Sequence, residues 1–508
     1  MTKIHRQARL FLSVISALIP TVFTSPAIAL ATDQPPDWTD FAKTAKRFVA
    51  IESPSSVFPF KTAKAGLGKA LVIAHYFPFF PISYEGLPPD KDYYAKEFLS
   101  VSGENGKHAR QGGFLRERPL PTPFQSTPQF YDANFAIDVE RAARIGIDGF
   151  GVNLLSLTDK TFMPAARKLL DAAVASSTGF KIFPEPDMTT LSGLTPLGLA
   201  DTLMLFATHP GALRIDGKLL VMPIAAEKYP VAFWQQFTTI MSQRGYPIAL
   251  MPCYYDPAIN TMAKYRNISW GAAFWGTRGP SAGNNAAEVI AEIKKLGYSH
   301  WMIPVSPQDS RPKDLLSFEA GNSRSYKNQW DAAIALGAKQ VQIVTWNDYS
   351  ETSEISPSSF TKFAFYDLTA YYTAWIKAGS PPPLSRDAFY FVQRRQIFRP
   401  DKLIQGARWS LAGNPPWSND IEVVALLTKP GELVLKSGDS TVRKMAGAGL
   451  QTIRVPASAG TATFALKRGH RIIARITSPI SIDPNPDRHD PTYGGSSSLR
   501  LGRNNNGG

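Results

Sequence analysis

Residues 341–351 read Val-Gln-Ile-Val-Thr-Trp-Asn-Asp-Tyr-Ser-Glu, an apolar run rich in β-branched residues that passes directly into a polar loop. Seven similar runs precede it, and the segments between them place apolar residues three and four positions apart, as amphipathic helices do. Eight apolar strands alternating with helices predict an α/β fold, a closed parallel (β/α)₈ TIM barrel. The predicted strands are Ala70–Tyr76, Ile147–Asn153, Phe180–Pro184, Leu219–Pro223, Pro247–Pro252, Ile268–Phe274, Trp301–Val305 and Val341–Trp346.

Changes in composition mark the other parts of the chain. The last helical segment of the barrel, Lys362–Ala378, is followed by Gly379 and then by three prolines, which stop a helix. We therefore predict a barrel domain over residues 32–380. From 384 to 482, short β-rich runs separated by tight turns predict a C-terminal β-sandwich domain. The Gly-, Ser- and Asn-rich residues 483–508 predict a disordered tail.

The first 31 residues have the pattern of a cleaved signal peptide. Lys3, Arg6 and Arg9 precede the apolar run Leu10–Phe23, and two small-residue sites of the A-x-A type follow within 27–31. The run is shorter than the about 20 apolar residues of a membrane-spanning helix. The pattern therefore predicts a periplasmic or secreted protein, without stable membrane insertion once the signal peptide is cleaved.

Charge and motif content narrow the possible functions. The chain has 55 Lys and Arg against 41 Asp and Glu, a formal net charge of +14, but the basic residues are scattered, which disfavours nucleic-acid binding. The seven histidines include no H-E-x-x-H or other ligand spacing, so no metal is predicted. Without a phosphate-binding loop, no cofactor is predicted either. The single cysteine, Cys253, excludes an intrachain disulfide, and the oligomeric state stays open.

Polar and aromatic side chains follow the predicted strands at their carboxyl ends, where TIM-barrel enzymes carry their active sites. Aromatic rings suit the C–H faces of sugar rings, and amides and carboxylates bind hydroxyl groups. We therefore expect a polysaccharide or oligosaccharide substrate at this rim, where Glu185, Tyr255 and Ser306 also lie. The predicted substrate-binding residues are His75, Tyr76, Asn153, Asp187, Tyr254, Asp256, Trp275, Trp346, Asn347 and Tyr349.

Asp348 and Glu351, two and five residues after the last predicted strand, are the candidate catalytic residues. Glycoside hydrolysis needs one carboxylic acid to protonate the leaving oxygen and one carboxylate to activate water. The Asp-x-x-Glu spacing is also common in helix caps, and solvated loop carboxylates have the same pattern. Trp346 can equally be a core residue, His75 a buried barrel residue and Asp187 an organiser of its loop.

Residues 342–351 closely resemble the Q-I-V-T-W-N-D-Y-G-E signature of glycoside hydrolase family 71, the endo-α-1,3-glucanases or mutanases. Val72–His75, Gly146–Phe150 with Asn153, and Pro304–Pro307 resemble other segments of that family in the same order. The resemblance implies a (β/α)₈ catalytic domain and a trailing β-sandwich. It also implies hydrolysis of α-1,3-glucosidic bonds with inversion and without a metal.

The resemblance places the two catalytic acids on Asp348 and Glu351, with Glu351 as the general acid and Asp348 as the general base. It also implies that His75, Asn153, Asp187 and Trp346 contact glucose units. The chain departs from the family pattern at Ser350, where glycine is usual, and at Thr352-Ser353-Glu354, where Ser-His-Tyr is usual. The first change restricts the turn between the acids, and the second can alter a subsite. Glu354 is interpreted as a solvated or hydrogen-bonding group.

Two other functions fit the same residues. The first is a related barrel glycosidase that cleaves an α-mannoside. The second is a glycan-binding protein on a barrel that has lost catalysis, although a binder has no need of two carboxylates at this spacing. Product release from α-glucan or from α-mannan, or binding without hydrolysis, distinguishes the three.

Overall fold

The computed structural model of the protein describes residues 37–66, 68–123, 129–400, 408–412 and 417–500. The predicted signal peptide, residues 1–31, lies outside the described residues. Within the described ranges, no helix is long and apolar enough to cross a membrane.

A seven-stranded parallel sheet forms the centre of the N-terminal part. Apolar side chains such as Val72, Ile73 and Val341 alternate between its two faces and are completely buried on both, as in sheets covered on each side. In sheet order the strands are β3 (Lys181–Pro186), β2 (Gly149–Leu154), β1 (Leu71–Tyr76), β12 (Gln340–Ile343), β9 (Trp301–Val305), β8 (Ala272–Phe274) and β7 (Cys253–Tyr254).

A smaller sheet connects the two outer strands of the large one. It contains β4 (Arg214–Ile215), β5 (Lys218–Val221) and β6 (Ile248–Leu250), of which β5 and β6 are parallel. Ile224, just after β5, forms parallel bridges to Asp187 after β3 and to Cys253 in β7. Its N–H donates to the carbonyl of Pro186 at 2.9 Å. Every predicted strand overlaps an observed one, and the α/β class is confirmed.

Amphipathic helices cover the parallel strands. Ala165, Leu169 and Ala173 lie three or four positions apart on one helix and are buried, as the apolar spacing predicts. The last helix ends at Gly379, whose φ of 82° is a left-handed conformation that glycine adopts readily. The helices are α1 (Trp38–Glu52), α2 (Phe130–Arg144), α3 (Phe162–Ser176), α4 (Pro196–Thr208), α5 (Val231–Gln243), α6 (Ile259–Tyr265), α7 (Ala282–Lys295), α8 (Arg324–Ala335) and α9 (Ala364–Ala378).

The C-terminal part is a β-rich domain with two four-stranded antiparallel sheets. Leu433, Leu435 and Phe464 from one sheet pack with Phe391 and Val423 from the other in one apolar core. The first sheet has the order β18 (Gly449–Pro456), β15 (Asp420–Leu427), β13 (Ala388–Gln393) and β21 (Gly494–Ser497). The second has the order β17 (Ser440–Ala446), β16 (Gly431–Ser437), β19 (Thr463–Arg468) and β20 (Arg471–Thr477).

The segment predicted as a disordered tail is ordered up to residue 500, which corrects that prediction for residues 483–500. Its strand β21 pairs antiparallel with β13, so that Tyr390 lies opposite Ser497. A Cβ atom on Gly494 would lie 2.3 Å from the ring of Phe360, so the small residues here allow close packing. Residues 501–508 of the predicted tail lie outside the described residues.

A second three-stranded sheet lies beside the carboxyl ends of the parallel strands. Its order is β10 (Asp309–Arg311), β11 (Leu316–Phe318) and β14 (Ser410–Ala412). The backbone N–H of Ser310 in β10 donates to the carbonyl of Glu351 at 2.8 Å. This sheet therefore fixes the loop that carries the candidate catalytic residues.

Candidate active site

His75 and Glu185 form a buried polar pair near the carboxyl ends of β1 and β3. The imidazole Nδ1 hydrogen-bonds to Oε2 of Glu185, and the side-chain amide of Gln342 donates to Oε1 at 3.1 Å. Burial raises the pKa of Glu185, and the interaction with His75 opposes that increase. The imidazole also contacts the indole of Trp275 edge to face, with 4.9 Å between the ring centres. The pair thus supports an aromatic wall of the site.

Asp187 extends the site on the same side, just after β3. Its Oδ1 accepts hydrogen bonds from the N–H and the hydroxyl of Thr189, at 2.9 and 2.5 Å. The side chain of Asn153, at the end of β2, also hydrogen-bonds to this carboxyl. Burial raises the pKa of Asp187, whereas these hydrogen bonds and His75 lower it. Asp187 therefore organises its loop and also contacts a neighbouring site residue.

Glu351 lies in the loop after β12, the strand that pairs with β1. Its side chain is 18% exposed, and Oε1 lies 3.2 Å from Nη2 of Arg311. Its Oε2 is buried and has no hydrogen-bond donor among the described residues. Burial raises the pKa of Glu351 to about 8, with Arg311 opposing the increase and Asp309 and Asp348 adding to it. A carboxyl with this pKa is protonated at neutral pH.

Asp309 forms an ion pair with Arg311 and so weakens the positive charge near Glu351. It binds the guanidinium of Arg311 through two hydrogen bonds of 2.8 Å, and Nε of Arg278 lies 3.3 Å from the same carboxylate. All three side chains are buried. Because Asp309 compensates part of the positive charge, Arg311 can hold Glu351 in place without forcing it to ionise.

Asp348 is held by its own loop. Its Oδ1 accepts hydrogen bonds from the N–H and the hydroxyl of Ser350, at 2.9 and 2.7 Å, and from the N–H of Glu351 at 3.3 Å. Because no helix follows, Asp348 is not a helix cap; its Oδ1 instead closes a turn within the loop. Among the described residues, no donor contacts Oδ2. One oxygen thus orients the side chain, and the other is available for chemistry.

Tyr255 contacts the aromatic part of the site. It follows β7, and its ring centre lies 5.8 Å from that of Trp275. Burial raises the pKa of its phenol, and the negative charges of Asp187 and Glu351 raise it further. The phenol of Tyr255 therefore lies within electrostatic range of both carboxyl groups. The predicted residues His75, Asn153, Asp187, Trp275 and Glu351, with Asp348, belong to this group.

Tyr76 and Tyr254 do not lie at this rim, although they adjoin residues that do. Consecutive strand residues point to opposite sides of a sheet. The hydroxyl of Tyr76 donates to Asp138 of α2 at 3.0 Å, and the hydroxyl of Tyr254 lies 3.3 Å from that of Tyr298. Both tyrosines are buried between strands and helices. The structure corrects their predicted placement at the rim.

Trp346, Asn347 and Tyr349 are also buried, and their contacts are with neighbouring loops and the core. The indole of Trp346 is completely buried and packs at 5.2 Å from the ring of Phe150. The amide of Asn347 donates to the carbonyl of Phe77 at 3.0 Å and accepts from its N–H at 2.8 Å. Tyr349 packs against the insertion that follows β1. The structure therefore corrects the prediction that these three residues bind substrate. They hold the loop after β12 in place, and Trp346 is a core residue, which was the alternative interpretation.

Two other carboxylates are separate from this group. The N–H of Asp256 donates to Oε1 of Glu227 at 2.9 Å, and among the described residues its carboxyl makes no hydrogen bond to Asp348 or Glu351. Glu354 is completely buried, which excludes the solvated interpretation and leaves the hydrogen-bonding one. Its carboxyl lies beside that of Glu117.

Sequence reasoning missed Arg278, Asp309 and Arg311, and it left Tyr255 outside the substrate-binding set. The sequence feature that could have identified Asp309 and Arg311 is their position after a predicted strand. Asp309 and Arg311 follow the end of β9 by four and six residues, within the loop that reaches the rim. The pairing of β10 with β11 brings Asp309 and Arg311 toward Glu351. Strands of only three residues are too short to show an apolar periodicity in the sequence.

A protonated carboxyl, a second carboxylate in the same loop and an aromatic wall at the carboxyl ends of parallel strands are typical of glycoside hydrolases. Comparison with known proteins agrees with this class. The model of glycosyl hydrolase family 71 matches residues 124–488. The protein belongs to this family and is a glycoside hydrolase, as the resemblance of residues 342–351 predicts.

Curated relatives and solved structures are similar at low identity. Glucan endo-1,3-alpha-glucosidase agn1 of Schizosaccharomyces pombe is 22% identical over 375 residues, covering 69% of this chain and 87% of that protein. Mutanase Pc12g07500 of Penicillium rubens is 23% identical over 365 residues, covering 66% of this chain and 78% of that protein. The GH99 endo-alpha-mannosidase structure from Bacteroides thetaiotaomicron has a TM-score of 0.46 at 14% identity, covering 60% of this chain and 97% of that chain.

Proposed function

We propose that the protein hydrolyses α-1,3-glucosidic bonds in an α-glucan with inversion of configuration. The names of the two curated relatives support α-1,3-glucan as the substrate. The observation that carries the proposed chemistry is the raised pKa of Glu351 beside a second carboxylate, Asp348. An inverting glycosidase needs this combination of one acid and one base.

Glu351 is the general acid in this mechanism. Its pKa of about 8 keeps the proton on the carboxyl at neutral pH, where it can be transferred to the glycosidic oxygen as the bond to the sugar breaks. Arg311, at 3.2 Å from Oε1, then stabilises the carboxylate that forms. Oε2 has no competing donor among the described residues, so a proton on this carboxyl is not displaced by another hydrogen bond.

Asp348 is the general base. Three N–H and O–H donors converge on Oδ1, which leaves Oδ2 to accept a proton from water. The water then attacks the anomeric carbon from the face opposite the departing oxygen, and the configuration inverts. The proton of Glu351 goes to the leaving sugar, and the proton of the water goes to Asp348.

His75, Asn153, Asp187 and Trp275, together with Tyr255, form the proposed substrate-binding side. The perpendicular contact of His75 with Trp275 fixes the indole, whose face suits a pyranose ring. The amide of Asn153 and the carboxylate of Asp187 offer hydrogen bonds to sugar hydroxyls.

We also propose that the chain forms a closed barrel followed by a β-sandwich and that it is exported. The seven-stranded parallel sheet and the parallel strands β5 and β6 together form the (β/α)₈ barrel predicted over residues 32–380, and bridging through Ile224 supports closure. The two antiparallel sheets form the predicted β-sandwich, for which the shared apolar core is the support. Cleavage of the signal peptide over residues 1–31 delivers the enzyme to the periplasm or the medium.

Product analysis tests the function. Purified protein is incubated with α-1,3-glucan, α-1,4-glucan and α-mannan, and the products are followed by chromatography and by proton NMR of the anomeric signals. We expect release from α-1,3-glucan with the β-anomer appearing first. Release from α-mannan alone would refute the substrate, and an initial α-anomer would refute inversion. Binding without hydrolysis of any of the three would favour a glycan-binding protein.

A further inference from the structure

Glu117 and Glu354 place two buried carboxyl groups next to the catalytic loop. Both residues are completely buried, and their side chains are within hydrogen-bonding reach of each other. Two ionised carboxylates repel each other strongly when they are buried together, so the pair retains a proton that the two groups share. Burial raises the pKa of Glu354, and the charge of Glu117 raises it further.

The neighbouring hydrogen bonds occupy one oxygen of each carboxyl, and the other oxygen of each is available for the shared proton. Oε2 of Glu117 accepts from the hydroxyl of Ser358 and from the N–H of Thr361, the latter at 3.3 Å. Oε1 of Glu354 lies 3.4 Å from the hydroxyl of Thr361. The remaining oxygens, Oε1 of Glu117 and Oε2 of Glu354, have no donor from other described residues. A proton between the two carboxyls supplies the missing donor.

The pair joins two segments that are far apart in sequence. Glu117 belongs to the long insertion between β1 and α2, and this insertion pairs with the end of the catalytic loop where the N–H of Leu120 donates to the carbonyl of Pro357 at 2.8 Å. Glu354 follows Glu351 by three residues. The next residue, Ile355, donates its N–H to the carbonyl of Thr345 at 3.1 Å, which closes the loop at its base.

Several ionisable groups surround the two carboxyls, so the charge of the pair affects its neighbours. Arg395 and Lys362 face Glu117. Asp348 faces Glu354, and the hydroxyl of Tyr349 faces both carboxyls of the pair. Loss of the shared proton would therefore leave two buried negative charges together and place one of them near the proposed general base.

We propose that Glu117 and Glu354 are positioning residues for the hydrolysis, and that their shared proton holds the loop of Asp348 and Glu351 in its working geometry. This inference rests on the proposed function. Neither carboxyl touches the substrate in the mechanism. They act through the loop, whose carboxylates must stand at the correct separation on either side of the sugar.

Kinetics with a conservative and a disruptive variant test the positioning role. Glu354→Gln replaces the acid by an amide that still donates to Glu117, so we expect kcat within about threefold of wild type. Glu354→Leu leaves the carboxylate of Glu117 buried without its partner, and we expect kcat to fall about 100-fold with little change in KM. Glu140→Leu, which removes a buried carboxyl from α2, is the control and should keep the wild-type kcat.

Thermal unfolding tests the shared proton without any substrate. A carboxyl whose pKa is raised by folding stabilises the protein below its unfolded pKa, and this contribution is lost as the pH rises through the folded pKa. In a Glu351→Gln background, which removes the other raised carboxyl of the loop, we expect the unfolding midpoint to fall toward alkaline pH. Adding Glu354→Gln should remove part of that fall.

Three results would overturn the inference. They are an equal pH dependence with and without Glu354→Gln, a loss of kcat in Glu354→Gln as large as in Glu354→Leu, or full kcat in Glu354→Leu. If Glu354→Leu does not fold, Glu117→Gln and the unfolding comparison decide the question. Wild-type protein that fails to hydrolyse α-1,3-glucan would refute the proposed function, while the unfolding measurement would still report on the shared proton.

Discussion

Nη2 of Arg311 lies 3.2 Å from Oε1 of Glu351, yet the pKa of Glu351 is raised to about 8. A cation at this distance favours the ionised carboxylate, so burial and neighbouring negative charge must exceed its effect. Asp309 supplies this negative charge in two ways. It binds the same guanidinium through two hydrogen bonds of 2.8 Å, which compensates part of the positive charge of Arg311, and its own charge raises the pKa of Glu351. The acidity of the proposed proton donor therefore depends on a residue outside the signature segment.

The activity should show an alkaline limit set by Glu351. Since the general acid must be protonated, we expect kcat/KM to fall as the pH rises above about 8, the pKa to which burial raises this carboxyl. Asp309→Asn removes a negative charge and frees Arg311 to favour ionisation, so the limit should move to lower pH. The measurement is kcat/KM for α-1,3-glucan oligosaccharides between about pH 5 and 10.

A matched control for this profile is Asp201→Asn. Asp201 is exposed and pairs with Arg244 on another part of the surface, so its loss should leave the alkaline limit in place. A limit that stays unchanged or moves upward in Asp309→Asn would contradict the role given to that residue.

Removal of either catalytic carboxyl should abolish turnover without removing binding. Glu351→Gln and Asp348→Asn keep the shape of each side chain but cannot transfer the proton, so kcat should fall about 10²- to 10⁴-fold. Isothermal titration with a glucan oligosaccharide should still detect binding. Glu140→Gln, at another buried carboxyl, should keep wild-type kcat. If one of the two variants retains wild-type kcat, that residue is not part of the mechanism.

Two tryptophans should respond differently to substitution. Trp275 contacts His75 and Tyr255 at the proposed substrate side, so Trp275→Ala should raise KM about tenfold with a smaller change in kcat. Trp346 is completely buried, so Trp346→Ala should destabilise the protein by about 3–5 kcal/mol. Steady-state kinetics and urea unfolding separate the two effects. A larger KM effect at Trp346 than at Trp275 would reverse their assignments.

Local sequence patterns predict the strands well, but they do not determine which side of a strand faces the candidate site. His75 and Tyr76 adjoin each other at the same strand end, and only the alternation of side chains sends one to the site and the other to α2. Asp309 reaches Glu351 through a hairpin of very short strands, a tertiary pairing that periodicity does not encode. Gly494 suggests disorder by composition, although it is the close approach of Phe360 that requires glycine.

The ordered C-terminal segment should contribute to stability through Arg500. Its guanidinium lies 2.7 Å from Oδ1 of Asp367 on α9, and both side chains are buried. Removing one partner of a buried ion pair leaves an uncompensated charge, so Arg500→Met should cost about 3–5 kcal/mol. Adding Asp367→Asn removes that charge and should restore part of the loss. Arg443→Met breaks an exposed pair with Glu432 and should cost less than about 1 kcal/mol.

Urea unfolding of the two single variants and the double variant measures this coupling. Because the pair joins the segment after β21 to α9, its loss should also lower the urea midpoint followed by the intrinsic fluorescence of the ten tryptophans. Additive effects of Arg500→Met and Asp367→Asn would contradict a direct interaction. An unchanged midpoint in Arg500→Met would show that the Arg500–Asp367 pair does not stabilise the fold.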